Sequence, residues 1–326
     1  MSPHSIAVVI PVFRGECTLT KIVEEVLAIG APSRSSAGTH YEIREVVLVH
    51  DCGPDRSDLV IRELCEKYEK VSAVWLTRNF GQHAATMAGI AATGSDWVVT
   101  LDEDGQFNPR HIPQLLDTAI AESAIVVYAR PSNRLPHSVC RNALTEVNKR
   151  FLAPLFVGRR FVEFSSFRLI LGEIARSMSA YAGYGTYLDV VLSWLTDRRA
   201  TTKVEYRGEK RDRSGYSFRA LLQHFGRMII TGGTRPLRIV SLIGILSAVC
   251  GVSLAAAVVF RRLAYGYPAG FASVFVILLI LSGVTLVAVG VLAEYIGAIS
   301  RVSQGRPLYA TWSDPANSPL RRDDSR

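Results

Sequence analysis

The densest chemistry in the chain is Asp102-Glu103-Asp104-Gly105-Gln106, which directly follows the apolar run Trp97-Val98-Val99-Thr100-Leu101. The run reads as a buried strand, and acids at the carboxyl edge of an α/β sheet sit where ligands bind. Two aspartates one residue apart, on a bend beside a glycine, can face one divalent cation. Hard carboxylate and amide oxygens suit Mg²⁺ or Mn²⁺, a metal that keeps contact with substrate phosphates. The pattern implies a metal-dependent enzyme acting on a nucleotide-activated substrate. The plainer alternative is a polar strand-to-helix loop carrying a helix cap.

The elements that must position these residues alternate. Strand patterns fall at 6–12, 45–50, 71–76, 97–101 and 125–129, with helix patterns at 18–29, 58–70, 82–92 and 111–122 and a polar loop at 31–40. This alternation predicts an α/β protein with a mostly parallel, doubly wound sheet. A helix is expected at 141–156 and later strands at 163–169 and 202–206. Polar residues recur at successive strand ends: Arg14 and Glu16, Asp51 and Asp55, Arg78 and Asn79, Asp102 to Gln106, Arg130 and Arg134. Loops at one sheet edge converge on one crevice, and acids with arginines there fit a phosphate ester and its metal. Neither a GxGxxG nor a Walker A pattern occurs, which removes support from two common nucleotide folds. Arg78 and Asn79 read equally well as strand-end caps, and Gln82 and His83 read more readily as solvent contacts than as ligands. His50 and Asp51 are strand neighbours, so their side chains should diverge.

Hydrophobic residues make up 48% of the 326-residue chain, and the mean hydropathy is +0.20, high for a purely soluble protein. The excess lies near the C-terminus. Stretches 239–260 and 271–293 carry no charge, and each exceeds the roughly 20 residues that span a bilayer core. Arg219, Arg227, Arg235 and Arg238 precede the first, Arg301 and Arg306 follow the second, and only Arg261 and Arg262 lie between. The positive-inside rule therefore puts both termini and the large domain in the cytoplasm. Segment 198–213 holds seven Lys and Arg, a basic surface suited to anionic head groups. The net charge of +8 comes with no groove-reading motif, so nucleic acid is not an expected partner. Residues 216–230 have apolar positions at helical spacing and read either as an interfacial helix or as one packed on the domain. Five scattered cysteines, odd in number and without zinc spacing, read as reduced cytosolic thiols. No export signal precedes the first strand, and the polar tail after Tyr309 is expected to be disordered.

Several segments form an ordered set: Val9-Ile10-Pro11-Val12-Phe13-Arg14-Gly15-Glu16, Arg78-Asn79-Phe80-Gly81-Gln82-His83-Ala84-Ala85, Asp102 to Gln106, Phe167-Arg168-Leu169, Ser214-Gly215-Tyr216-Ser217, Thr234-Arg235-Pro236-Leu237-Arg238, and Glu294-Tyr295-Ile296-Gly297 with Arg306-Pro307. Together they resemble glycosyltransferase family 2, in its polyprenyl-phosphate branch, over nearly the whole chain. The resemblance implies a cytoplasmic GT-A catalytic domain at 1–215 and an amphipathic juxtamembrane region at 216–236. Two transmembrane helices at 237–299 and a partly disordered cytoplasmic tail at 300–326 would follow. It implies inverting transfer of one sugar from a nucleotide-diphosphate sugar, UDP-linked ahead of GDP-linked, to undecaprenyl phosphate. The setting would be the cytoplasmic leaflet of a bacterial inner membrane, in lipid A, O-antigen or other envelope glycan modification. By the same resemblance Asp102, Asp104 and Gln106 hold Mg²⁺ or Mn²⁺, and Asp104 and Arg168 are catalytic. Pro11, Glu16, Asp51, Asp55 and Asp102 meet the donor. Arg130, Arg134, Arg168 and Ser214 meet phosphate or acceptor, with Lys210, Arg211 and Arg213 competing for one further basic position. The partners are then the nucleotide sugar, the lipid phosphate and the bilayer, and relatives suggest a tetramer.

Several positions depart from the family pattern. His50 stands in place of a first Asp, and Cys52-Gly53-Pro54 in place of Gly-Ser-x. Glu103 adds a third acid, Gly105 replaces a Leu, and Ser166 stands where relatives have Asp. A processive polysaccharide synthase would carry Gln-x-x-Arg-Trp and more spans, and neither is present. A degenerate membrane scaffold is the non-enzymatic alternative.

Overall fold

Runs of Val and Ile at 6–12 and 46–49 have small or β-branched side chains on both faces, the pattern of central strands covered on two sides. The computed structural model describes residues 3–132, 164–181, 187–207, 235–265, 271–304 and 307–317. The chain divides into two units: the first holds 1–142, 162–214 and 307–326, the second 143–161 and 215–306.

In the first unit the described strands are β1 (His4–Val12), β2 (Ser33–Arg34), β3 (His40–His50), β4 (Val71–Leu76), β5 (Trp97–Thr100), β6 (Val126–Pro131), β7 (Arg168–Leu171), β8 (Arg199–Val204) and β9 (Thr311–Trp312). The helices are α1 (Leu19–Ala28), α2 (Ser57–Lys67), α3 (Gln82–Ala91), α4 (Ile112–Ala121), α5 (Gly172–Tyr181) and α6 (Leu188–Leu195). The sheet runs β8-β6-β7-β5-β1-β3-β4-β9, with β2 on β3. β5, β1, β3 and β4 are parallel to their neighbours in turn, as are β6 and β8. β7 lies antiparallel between β5 and β6, and β9 antiparallel on β4.

Side-chain alternation divides the core. Ile6, Val8, Ile10 and Val12 face a cluster with α1, α2 and α4, whereas Ala7 and Val9 face one with α3, α5 and α6. β5 pairs in parallel with β1 and antiparallel with β7, and beyond the carboxyl ends of strands at such a switch an open α/β sheet has its ligand crevice. Pro11 shapes it. Val9 accepts from Leu101 N at 3.0 Å, so Pro11, two residues on, turns its missing N–H toward β5. Pairing of β1 with β5 stops at Val9, where the strands can part.

The strand expected at 163–169 begins later, at Arg168, and α5 and α6 were not anticipated. The expected helices at 141–156 and 216–230 lie outside the described residues. Residues 307–317 return to the first unit as β9 and a 3₁₀ turn, within the stretch expected to be disordered.

In the second unit α7 (Arg235–Tyr265) and α8 (Phe271–Ser303) contain 31 and 33 residues and pack on one another. Many of their described apolar side chains are exposed: Leu242, Ile243, Ile245, Leu246 and Val249 on α7, Leu286, Val287 and Val289 on α8. Over the described residues alone, no helix is long and apolar enough to cross a membrane.

Candidate active site

The turn after β5 is built for tightness. Gly105 has φ +70, a left-handed conformation that a Leu would hold only with strain. Gln106 N donates to Asp104 Oδ1 at 3.1 Å, closing the turn on the aspartate. Glu103, the third acid, points away. Its Oε2 accepts from Phe13 N at 2.8 Å, its Oε1 from Arg14 N at 2.9 Å, and its carbonyl from Thr18 Oγ1 at 2.5 Å. Glu103 therefore pins the β1–α1 loop and leaves Asp102 and Asp104 as the acids of the crevice.

Asp102 accepts from Gln82 Nε2 at 2.5 Å and from Ser166 Oγ. Burial pushes its carboxyl up to about 6, with nearby Asp104 adding to the rise, while Ser166, Arg168 and Gln82 oppose it. Gln106 accepts from the Tyr206 hydroxyl, and its carbonyl takes Arg207 N at 2.8 Å.

Asp51 and His50 diverge as strand neighbours must. Asp51 receives Phe80 N at 2.7 Å and Gly81 N at 2.9 Å, two donors at the start of α3. Burial nevertheless holds its carboxyl above the usual range against those bonds. His50 stacks on Trp75 with ring centroids 5.2 Å apart, and its buried Nε2 has no hydrogen-bond partner among the described residues. Burial lowers its pKa, which leaves it neutral near pH 7. Cys52 follows at φ +49, the position of the family glycine. A Cβ on Gly53 would sit 1.8 Å from Phe13 O, so close loop approach explains that glycine.

Asp55 and Glu16 lock to one another. Asp55 accepts from Glu16 N at 3.1 Å and from Ser57 Oγ, and Glu16 accepts from Arg56 N at 3.2 Å. Burial works against the charged Asp55, yet these bonds hold its pKa below the usual range. Both acids thus tie the β1–α1 loop to the start of α2.

Arg168 opens β7 and is buried. It is 3% exposed, its Nε donates to Thr100 Oγ1 at 3.0 Å, and Nη1 pairs with Asp189 of α6. Tyr128 donates to the same Asp189 oxygen at 3.1 Å. Thr100 in turn donates to Ser166 O at 2.5 Å, and Ser166 donates to Asp102. The arginine stands behind the acid, not in the crevice. Arg130, on β6, has a buried Nε without a hydrogen-bond partner among the described residues. Arg134, Lys210, Arg211, Arg213 and Ser214 lie outside the described residues.

With this geometry in hand, a model of glycosyl transferase family 2 matches residues 7–174. The chain belongs to that family. Similar curated proteins named undecaprenyl-phosphate 4-deoxy-4-formamido-L-arabinose transferase support the polyprenyl-phosphate branch. One from Photorhabdus laumondii is 30% identical over 93% of this chain and 92% of its own length. Another, from Pectobacterium carotovorum, is 31% identical over 94% and 92%. Among solved structures, glucosyl-3-phosphoglycerate synthase from Mycobacterium tuberculosis with UDP shares the fold at TM-score 0.51 and 18% identity, covering 71% of this chain and 80% of that one. The same enzyme with Mn²⁺ and UDP-glucose gives TM-score 0.50 at 18% identity, covering 71% and 79%.

Among the described residues no three His, Cys, Asp or Glu converge to hold a metal. Two carboxylates and an amide do suit an ion completed by substrate phosphates, the usual arrangement for Mg²⁺. Sequence reasoning missed Asp189, whose signal was an acid inside the apolar run Leu188 to Leu192. It also undervalued Gln82, placed against Asp102 by the first turn of α3.

Proposed function

We propose that this family 2 protein is a membrane-bound inverting glycosyltransferase. It moves one sugar from a nucleotide-diphosphate sugar, UDP-linked by preference, to undecaprenyl or a related polyprenyl phosphate at the cytoplasmic leaflet of a bacterial inner membrane. The product serves lipid A, O-antigen or other envelope glycan modification. The observation that carries the acceptor is the likeness to undecaprenyl-phosphate sugar transferases over 93% of the chain, long helices included.

Site chemistry supports the same reading. Asp51 and the Phe80–Gly81 turn receive the nucleoside, and Asp102, Asp104 and Gln106 hold Mg²⁺ or Mn²⁺ on the donor diphosphate. The metal supplies charge for the leaving nucleoside diphosphate. The attacking oxygen belongs to a lipid phosphate that is anionic near neutral pH, so a strong general base is not required. Arg130, whose buried Nε has no hydrogen-bond partner among the described residues, is a ready hydrogen-bond donor to a phosphate, and Arg134 and one of Lys210, Arg211 and Arg213 are assigned to the lipid phosphate. Arg168 acts from behind, through Thr100 and Ser166.

The exposed apolar side chains of α7 and α8 need a cover, and lipid supplies one. At 1.5 Å per residue each helix exceeds the roughly 30 Å hydrocarbon core. The chain leaves the first unit before α7 and re-enters it after α8, so a hairpin of two spans keeps the whole unit on one side. A panel of labelled UDP- and GDP-sugars, offered with undecaprenyl phosphate in proteoliposomes, tests the reading. Label entering the lipid with one donor supports it; nucleotide binding without transfer for every donor in the panel contradicts the acceptor assignment.

A further inference from the structure

We propose that residues 307–317, the stretch that follows the helical hairpin, form a strap that positions the nucleoside end of the donor site. The inference rests on the reading of Asp51 as the nucleoside acid. Without β9, β4 would be an edge strand with unpaired backbone groups. β9 covers it, with Trp312 opposite Trp75 and Thr311 opposite Leu76, and Thr77 N continues the pairing to Ala310 O at 3.0 Å.

A charged clasp secures the strap. Arg62 Nε reaches both oxygens of Asp314 at 3.0 Å, while its Nη1 reaches Asp58 at 2.8 Å. The guanidinium lies 4.9 Å from the centre of the Trp75 ring, which also packs against His50. Side chains of Arg62 and Asp314 are 22% and 21% exposed, so the pair is shielded more than a surface bridge and acts with more effect.

The strap reaches the loop that leads into α3 through Thr77, whose N–H donates to Ala310 O. Leu308, Tyr309 and Phe80 each pack against the same buried cluster on the α3 side of the sheet. Phe80 and Gly81 donate the two N–H groups that seat Asp51. From the other side, Cys52 Sγ donates to Leu76 O at 3.0 Å. The exit of β4 is therefore held between the Asp51–Cys52 turn and the returning chain. Residues that follow the hairpin thus set the position of the acid meant for the nucleoside, although they carry no ligand of their own. Arg62 and Asp314 are positioning residues.

The test is calorimetric titration of the purified full-length protein with UDP, and with GDP, in the presence of Mn²⁺. Steady-state kinetics for donor and for undecaprenyl phosphate accompany it. Asp314→Ala and Arg62→Lys should raise the nucleotide dissociation constant about five-fold or more, the size of a coupled charged contact. The KM for lipid phosphate should stay within about two-fold. Glu24→Gln, which breaks the exposed Lys67–Glu24 bridge at the far end of α2, should change neither. If Asp314→Ala does not fold, Arg62→Lys alone decides. Wild-type nucleotide affinity in both strap variants, or a fall in kcat with donor affinity intact, overturns the proposal. Asp51→Ala separates the two layers: loss of nucleotide binding there with normal strap variants sinks the strap alone, and normal binding in Asp51→Ala sinks the nucleoside reading beneath it.

Discussion

Asp102 holds one oxygen against Gln82 and the other against Ser166, and its environment determines how the site responds to pH. Its folded pKa of about 6 lies above the 3.8 of a free aspartate. For this group the metal-free fold is therefore favoured by protonation: that stabilisation is present below 3.8 and lost as pH rises through about 6. A metal must displace the same proton, so affinity for Mn²⁺ with UDP should be level above neutral pH and fall roughly ten-fold per unit below the pKa. Ser166→Ala removes a bond that lowers the pKa and should move the midpoint upward. Titrations from acid to neutral pH check both; a flat profile, or a midpoint that drops in the variant, would show that Asp102 is not the acid metal displaces. Glu103 teaches the complementary lesson. Type and position alone made it a third acid at the metal, whereas its oxygens accept from Phe13 and Arg14 N–H.

At the scale of elements, the buried pair of Arg168 on β7 with Asp189 on α6 joins the strand beside β5 to its covering helix. Truncating one partner of such a pair strands a charge in the interior. Asp189→Ala should lower stability by about 3 kcal/mol, read as a lowered melting temperature, and slow transfer through Asp102. Unaltered melting would contradict the role. The alternation of the first half was legible because Val and Ile runs such as 6–12 and 46–49 alternate with amphipathic helices such as α1 and α4. Strand ends therefore placed Asp51, Asp102 and Asp104 at one edge. The pairing of Arg168 with Asp189 was not legible, since Asp189 lies in an apolar helix with no local motif. β9 was illegible because two residues of strand depend on the free edge of β4, a tertiary fact without periodicity in the tail itself.

For the whole molecule, α7 and α8 connect at both ends to one unit, so the proposed topology puts only the connection 266–270 across the membrane. Tyr267→Cys should add labelling by an impermeant maleimide in intact cells, and a cysteine placed at Ser325 should label only after permeabilisation. The reverse pattern would overturn the orientation drawn from arginines at 219–238 and 301–306.

The central claim is metal-assisted transfer of a sugar to a lipid phosphate, and Asp104 is its most direct probe. Purified wild-type protein and Asp104→Ala should be compared in proteoliposomes with undecaprenyl phosphate, Mn²⁺ and the donor selected from the panel. The account predicts labelled lipid from the wild type and a loss of about a hundred-fold or more in the variant, with the variant still folded. Equal transfer by the two proteins would contradict it.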